Sequence, residues 1–181
     1  MWKFYFDSSN PARDRMRKMT LAALFAALAV LLSPLSFPVG PSRCFPFQHA
    51  INAVAGVVLG PWWGCGAAFI ASFVRNAMGT GTLLAFPGSM FGPVAVGLVA
   101  GLLPERRRYW AALAEPATAS TVGAWVASLI ASTAGGRVAL FSMLSVAFLV
   151  SSGPGALIGC AVLRLLRRTL ASSAETGCVT R

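Results

Sequence analysis

Residues 138–166 read VALFSMLSVAFLVSSGPGALIGCAVLRLL, an apolar run whose single charge, Arg164, stands near its end. About 20 mostly apolar residues suffice for a helix to cross the hydrocarbon core of a bilayer. The run therefore decides the class of fold, and two others of the same character, 19–36 and 111–133, accompany it. Three more apolar segments, 46–60, 62–78 and 87–103, are shorter or carry Gly and Pro. Membrane helices tolerate those residues where neighbouring helices cover the freed backbone groups. The chain of 181 residues is 56% hydrophobic and 11% charged, with mean hydropathy +0.70, too apolar for an ordinary soluble domain. The expectation is an all-α membrane protein with six transmembrane helices in one bundle. A basic leader (1–18) precedes the bundle (19–168), and a polar, disordered tail (169–181) follows it. Segment 46–60 would reach only about 22 Å as a helix, so fewer spans with buried half-helices remain an alternative. Basic residues before an apolar run also suit a signal peptide, but five further apolar segments follow, which favours an uncleaved first helix.

The formal net charge of +10 is unevenly distributed. Lys3, Arg13, Arg15, Arg17 and Lys18 precede the first span, Arg106, Arg107 and Arg108 lie between the fourth and fifth, and Arg164, Arg167, Arg168 and Arg181 end or follow the sixth. Only Arg43, Arg75 and Arg137 fall at the opposite ends of the spans. The positive-inside rule then places both termini in the cytoplasm. Because the basic clusters flank apolar spans, with no aromatic-basic face on a soluble fold, nucleic-acid binding is disfavoured. Cys44, Cys65, Cys160 and Cys178 lack CxxC spacing and suggest neither a disulfide framework nor a zinc site. Trp2-Lys3-Phe4-Tyr5-Phe6 suits the membrane interface.

Several activities lack their chemistry. ATP hydrolysis needs a Gly-rich phosphate loop followed by Lys and Ser or Thr, and no lysine follows Lys18. Membrane proteases and metalloenzymes need a nucleophile with its base, or several His and carboxylate ligands. Here His49 is the single histidine, and Glu115 the one acid within a span, near its cytoplasmic end and away from the other polar residues. No cofactor, metal or catalytic site is expected. No internal repeat of the kind common in secondary transporters is evident.

The topology gives each polar position a depth. Gln48, His49 and Asn52 fall on neighbouring parts of the outer half of the second span, by their three- and four-residue spacing. Arg75 and Asn76 end the third span outside, followed by Gly79-Thr80-Gly81-Thr82. Phe86-Pro87-Gly88-Ser89 opens the fourth, and Ser142 and Ser145 lie at the outer end of the sixth. Polar groups at membrane depth are costly unless they pair or line a cavity, so their convergence points to an outward pocket. Each also has a plainer reading: Asn52 and Ser89 as hydrogen-bonded helix joints, His49 as a satisfied bundle residue, Arg75 snorkelling to headgroups, and Trp62-Trp63 as an interfacial belt. The stiff segment Phe37–Phe45, with prolines at 38 and 41, suits a lid over the pocket mouth. In the first span, Ala22 with Ala26 and Ala23 with Ala27 form small-xxx-small pairs, which suit close packing within the bundle or docking on a partner subunit.

The run Cys44-Phe45-Pro46-Phe47-Gln48-His49 with Asn52, then Leu59-Gly60-Pro61, Arg75-Asn76, Gly79-Thr80-Gly81-Thr82 and Ala85 to Gly92 resembles the ThiW family. The resemblance is dense over about 19–103 and thin beyond, where Ala114-Glu115-Pro116 departs from the Gly-Glu pair usual in the family. It implies a substrate-binding (S) component of an energy-coupling-factor (ECF) transporter in the prokaryotic plasma membrane, taking up the thiazole precursor of thiamine. It further implies a pocket capped by the loop after the first helix, and partners consisting of a transmembrane coupling subunit and two ATPases. On that reading Phe45, Phe47 or Phe86 sandwich the heterocycle, while Gln48, His49, Asn52, Arg75, Asn76, Thr80, Thr82 and Ser89 complete the site, and Ala22, Ala23, Ala26 and Ala27 dock the coupling subunit. A phosphorylated ligand would call on Arg75 or Arg43. The competing readings are a stand-alone secondary transporter or channel, and an integral-membrane enzyme using His49 or Cys44.

Overall fold

The first helix starts earlier than its apolar run. Asn10 accepts a hydrogen bond from the Arg13 backbone N–H, and Pro11 supplies a preset φ at the first helical position, so α1 spans Pro11–Leu31. An Asp14–Lys18 ion pair at i,i+4 bridges its first turns. The basic residues 13–18, expected in the leader, are therefore helical, and the helix stops at Leu31 rather than at 36, short of Pro34. These elements come from a computed structural model that describes residues 10–39, 42–131 and 137–176. The aromatic group Trp2–Phe6 lies outside the described residues, as do 40–41, 132–136 and the last part of the tail, 177–181.

After α1, β1 (Phe37–Val39) and β2 (Ser42–Cys44) pair antiparallel, with Phe37 opposite Cys44 and Pro38 opposite Arg43. The described part of the segment read as a stiff lid thus forms a short ribbon. It leads directly into α2 (Pro46–Leu59), every residue of which except Phe47 and Val58 is buried. At roughly 21 Å this is a short helix. It forms the axis of the molecule, with α1, the helices Pro61–Ala77, Ala85–Leu102 and Arg137–Thr176, and the segment after Pro104 all packed on it. Gly60, at φ +85°, turns the chain into α3 (Pro61–Ala77), a conformation that favours glycine. α4 follows (Ala85–Leu102). α2, α3 and α4 approach closely at the end away from the ribbon: a Cβ on Gly97 would lie 2.5 Å from the Pro61 nitrogen, and one on Gly56 2.8 Å from the Pro93 carbonyl.

The fifth segment differs most from the expected continuous helix over 111–133. It is a 3₁₀ helix from Glu105 to Leu113, α5 (Ala114–Thr118), a π-helical turn (Ala119–Gly123) and α6 (Ala124–Ala131). Pro116 has no N–H to continue an α-helical ladder, and the hydrogen-bond pattern changes on either side of it. α7 (Arg137–Thr176) is a single helix of 40 residues with Pro154 inside it, and it continues through the first part of the expected tail. Among the described residues the architecture is all-α apart from the ribbon, with six helical segments of which the fifth is composite. Among the described residues, two helices, Ala85–Leu102 and Ala139–Leu170, are long and apolar enough to cross a membrane. Large apolar side chains such as Leu24, Ile70, Phe73, Leu98, Leu149 and Leu157 are exposed on several of the helices, a surface suited to an apolar surrounding.

Candidate ligand-binding site

The polar cluster is organised by α2. Gln48, His49 and Asn52 leave its buried face toward three different neighbours. Gln48 accepts a hydrogen bond from Arg75 of α3, His49 meets Glu115 of α5, and Asn52 donates to the Ser89 carbonyl of α4 at 3.2 Å.

Arg75 is 1% exposed, so it does not snorkel to the surface. Its guanidinium lies 4.2 Å from the centre of the Phe45 ring, one terminal nitrogen donates to Gln48 Oε1, and the other donates to the Thr80 carbonyl at 3.3 Å. Its Nε has no partner among the described residues. No carboxylate pairs with it there; the ion pairs described are Asp14–Lys18 and His49–Glu115.

The end of α3 holds this arginine in place. Gly79, at φ +71°, ends the helix in a left-handed cap: the Thr80 N–H donates to the Arg75 carbonyl at 2.9 Å and the Gly79 N–H to that of Asn76 at 3.0 Å. Asn76 donates to the Ser72 and Thr82 carbonyls at 3.2 and 3.0 Å, which ties the loop back to the helix. Asn76, Thr80 and Thr82 thus clasp the segment around Arg75, with Thr80 and Thr82 themselves exposed. Ser89 is buried; its hydroxyl lies 2.7 Å from that of Ser72 and 2.6 Å from the Ala85 carbonyl. Phe45 anchors the ribbon to α7 through its backbone N–H, which donates to Ser151 Oγ at 2.7 Å. Phe47 is half-buried, and Phe86 packs on Phe69 with ring centres 5.6 Å apart. Arg43 is exposed on β2.

Asn52 has a structural duty that explains its partner. Pro93 lies four residues after Ser89 and cannot donate to its carbonyl, and the Asn52 amide fills that vacancy.

Glu115 corrects the expectation from sequence. Rather than standing apart near one end, it is fully buried and joined to His49 by a 2.5 Å hydrogen bond between Oε1 and Nδ1. Helical structure already begins at Glu105, and a 3₁₀ helix rises ~2.0 Å per residue against ~1.5 Å in an α-helix, so the segment carries Glu115 deeper than an α-helix starting at 111 would. Two glycines clear space for the pair. A Cβ on Gly92 would come within 2.8 Å of Glu115 Cγ, and one on Gly155 within 2.6 Å of His49 Cβ. A lone acid within an apolar span was the available signal. Ser72 and Ser151 also belong to the cluster and were missed; Ser72 stands three and four residues before Arg75 and Asn76, a spacing that places it on their face.

The small-xxx-small pairs divide. Ala22 and Ala26 are buried within the bundle, among Leu59 and Ala67 and among Ile51 and Ala71 respectively, whereas Ala23 and Ala27 are exposed. Cys44 is 1% exposed, and burial pushes its thiol up, against a role as nucleophile. Surface cavities of about 540 and 260 Å³ lie among Tyr109, Trp110, Arg164 and Arg168 and among Lys18, Gly56, Gly97 and Arg108; neither reaches the polar cluster.

No curated protein and no solved structure matches the chain. A family described as "Thiamine-precursor transporter protein (ThiW)" matches it over residues 19–169, which takes in most of α1 and α7, all of the helical segments between them and the whole polar cluster. By that match the chain belongs to the ThiW family, a family of thiamine-precursor transporters and not of enzymes.

Proposed function

We propose that this chain is the substrate-capturing S component of an ECF transporter, and that it takes up hydroxyethylthiazole or a close relative. The observation that carries the reading is Arg75: a buried guanidinium facing an aromatic ring, with no described carboxylate partner and with its Nε–H unused. A buried donor without a partner costs on the order of 1–3 kcal/mol, a cost that a ligand acceptor would remove. Phe45 supplies an aromatic face beside it, as a flat heterocycle requires. In this reading the ribbon of β1 and β2, which adjoins Phe45, covers the bound ligand.

In this proposal all six helical segments cross the plasma membrane of a prokaryotic cell. Both termini are cytoplasmic, as the charge distribution favours, so the ribbon and Arg75 face outward. Ala23 and Ala27, exposed one turn apart on α1, offer a close-approach face for the coupling subunit, and two ATPases supply the energy. Binding of hydroxyethylthiazole to the purified chain, repeated with Gln48, His49, Asn52 and Arg75 changed singly to Ala, tests the site. Retained affinity in all four variants would remove the reading.

One observation favours a second reading, a stand-alone proton-coupled transporter. The His49–Glu115 contact places two ionisable groups together at depth, where a proton could reside. Uptake driven by a pH gradient in vesicles holding this chain alone would establish it, whereas uptake only with coupling subunit and ATPases present supports the first.

A further inference from the structure

Four buried side-chain atoms lack a partner among the described residues: Asp14 Oδ1, Ser145 Oγ, Arg75 Nε and Glu115 Oε2. The last two flank one polar cluster and are opposite in kind. Arg75 Nε–H can only donate, while the second oxygen of an ionised Glu115 can only accept. Both residues are at most 1% exposed, so water at the protein surface does not reach them.

α2 bridges the two. Gln48 holds Arg75, the adjacent His49 holds Glu115, and Asn52, one turn on, reaches α4 at Ser89. Glu115 is also held in a way that filling space does not require. His49 occupies Oε1 and leaves Oε2 open, Gly92 gives the carboxylate clearance, and Pro116 with the π-helical turn changes the helix around it. An apolar residue would fill the volume without these accommodations.

We infer that Glu115 is a specificity-determining ligand contact whose Oε2 receives a hydroxyl or amine hydrogen from the substrate, while Arg75 Nε–H is met by an acceptor at the substrate's other end. The inference rests on the thiazole reading and deepens it. Hydroxyethylthiazole has one feature for each pole, a ring nitrogen that accepts and a hydroxyl that donates. A ligand lacking the donor would leave a buried carboxylate oxygen unpaired, which is a stronger ground for rejection than a lost apolar contact.

The test compares binding of hydroxyethylthiazole with that of the ethyl analogue, which lacks the hydroxyl, to detergent-purified wild type, Glu115→Met and Glu115→Gln. Wild type is expected to prefer the alcohol by at least about 30-fold. Glu115→Met should bring the two ligands within about threefold. Glu115→Gln keeps an oxygen for His49 and presents a neutral N–H₂ where Oε2 stood; the hydroxyl can accept from it but loses the charged acceptor for its own hydrogen, so the preference should fall between those of wild type and Glu115→Met. A wild-type protein that binds both ligands equally overturns the inference even if neither variant folds, and leaves the thiazole reading standing. So does a pair of variants that weaken both ligands alike, because a merely structural role would do that. Wild type binding neither ligand would overturn the thiazole reading and this assignment with it.

Discussion

The two buried polar centres that meet at α2 are built by different means. Arg75 sits on a regular α-helix, and its neighbours follow helical spacing: Ser72 and Asn76 on α3, Gln48 and Asn52 on α2. Glu115 sits where the fifth segment passes from 3₁₀ to α to π geometry within nineteen residues, 105–123. Regular helices place the first centre by periodicity, while a proline and two glycines place the second. The first should therefore be sensitive to its charged group, and the second to small changes in the backbone around it. In this membrane protein of a transporter family, the proposed function has both centres hold a substrate rather than transform one.

The largest effect is expected at the Arg75 centre. Arg75→Ala removes the guanidinium, strands Gln48 Oε1 and takes the cation from Phe45, so ligand affinity should fall about 100-fold, or ~2.7 kcal/mol. Isothermal titration of the purified variant checks this, and a loss under threefold would deny Arg75 a ligand role. Next comes Gly155→Ala, beside His49. Its Cβ would stand 2.5 Å from the Pro46 carbonyl, a backbone atom that cannot swing aside, so α7 and α2 must separate. A loss of about 2 kcal/mol in stability is expected, read as a lower unfolding midpoint in detergent. An unchanged midpoint would mean that the α2–α7 contact is looser than the geometry states.

How far sequence could see follows from the same contrast. Apolar runs mark the helical segments because burial and a lipid-like surrounding both demand them, and the three- and four-residue spacing of Gln48, His49 and Asn52 sets them on the face of α2 that meets Arg75, Glu115 and Ser89. The spacing could not show which side chains hold backbone and which remain open to a ligand. Asn76 turned out to fasten the loop after α3, and Ala22 and Ala26 pack inside while Ala23 and Ala27 do not. Glu115 was invisible to depth counting because that count assumes ~1.5 Å per residue and a start at 111, and both assumptions fail in a 3₁₀ helix beginning at Glu105. The ribbon was hidden in a Pro- and Gly-bearing segment, because strand pairing depends on the partner strand and leaves no helix-like period to read.

Gly92→Ala sharpens the contrast because the obstruction is a side chain. The new Cβ would meet Glu115 Cγ and Oε1, each at 2.8 Å, and the carboxylate can swing aside while keeping a bond to His49. Stability should change little, while affinity for the hydroxyl-bearing ligand falls roughly fivefold, or ~1 kcal/mol. Matching losses of stability and affinity would instead make this centre a packing feature.

The smallest effect separates the two duties open to Asn52. Its amide donates to the Ser89 carbonyl because Pro93 has no N–H to offer there. Pro93→Ala restores that donor and frees the amide. Asn52→Ala should then cost less stability in the Pro93→Ala background than in wild type, with a coupling of about 0.5–1 kcal/mol read from unfolding midpoints in a double-mutant cycle. Independent, additive losses would refute the link. Ligand affinity gives the complementary reading: a residue that only serves the helix loses its influence on binding once the helix bond is restored. If Asn52→Ala weakens binding equally in both backgrounds, the amide touches the ligand as well, and the Arg75 centre extends one turn further along α2.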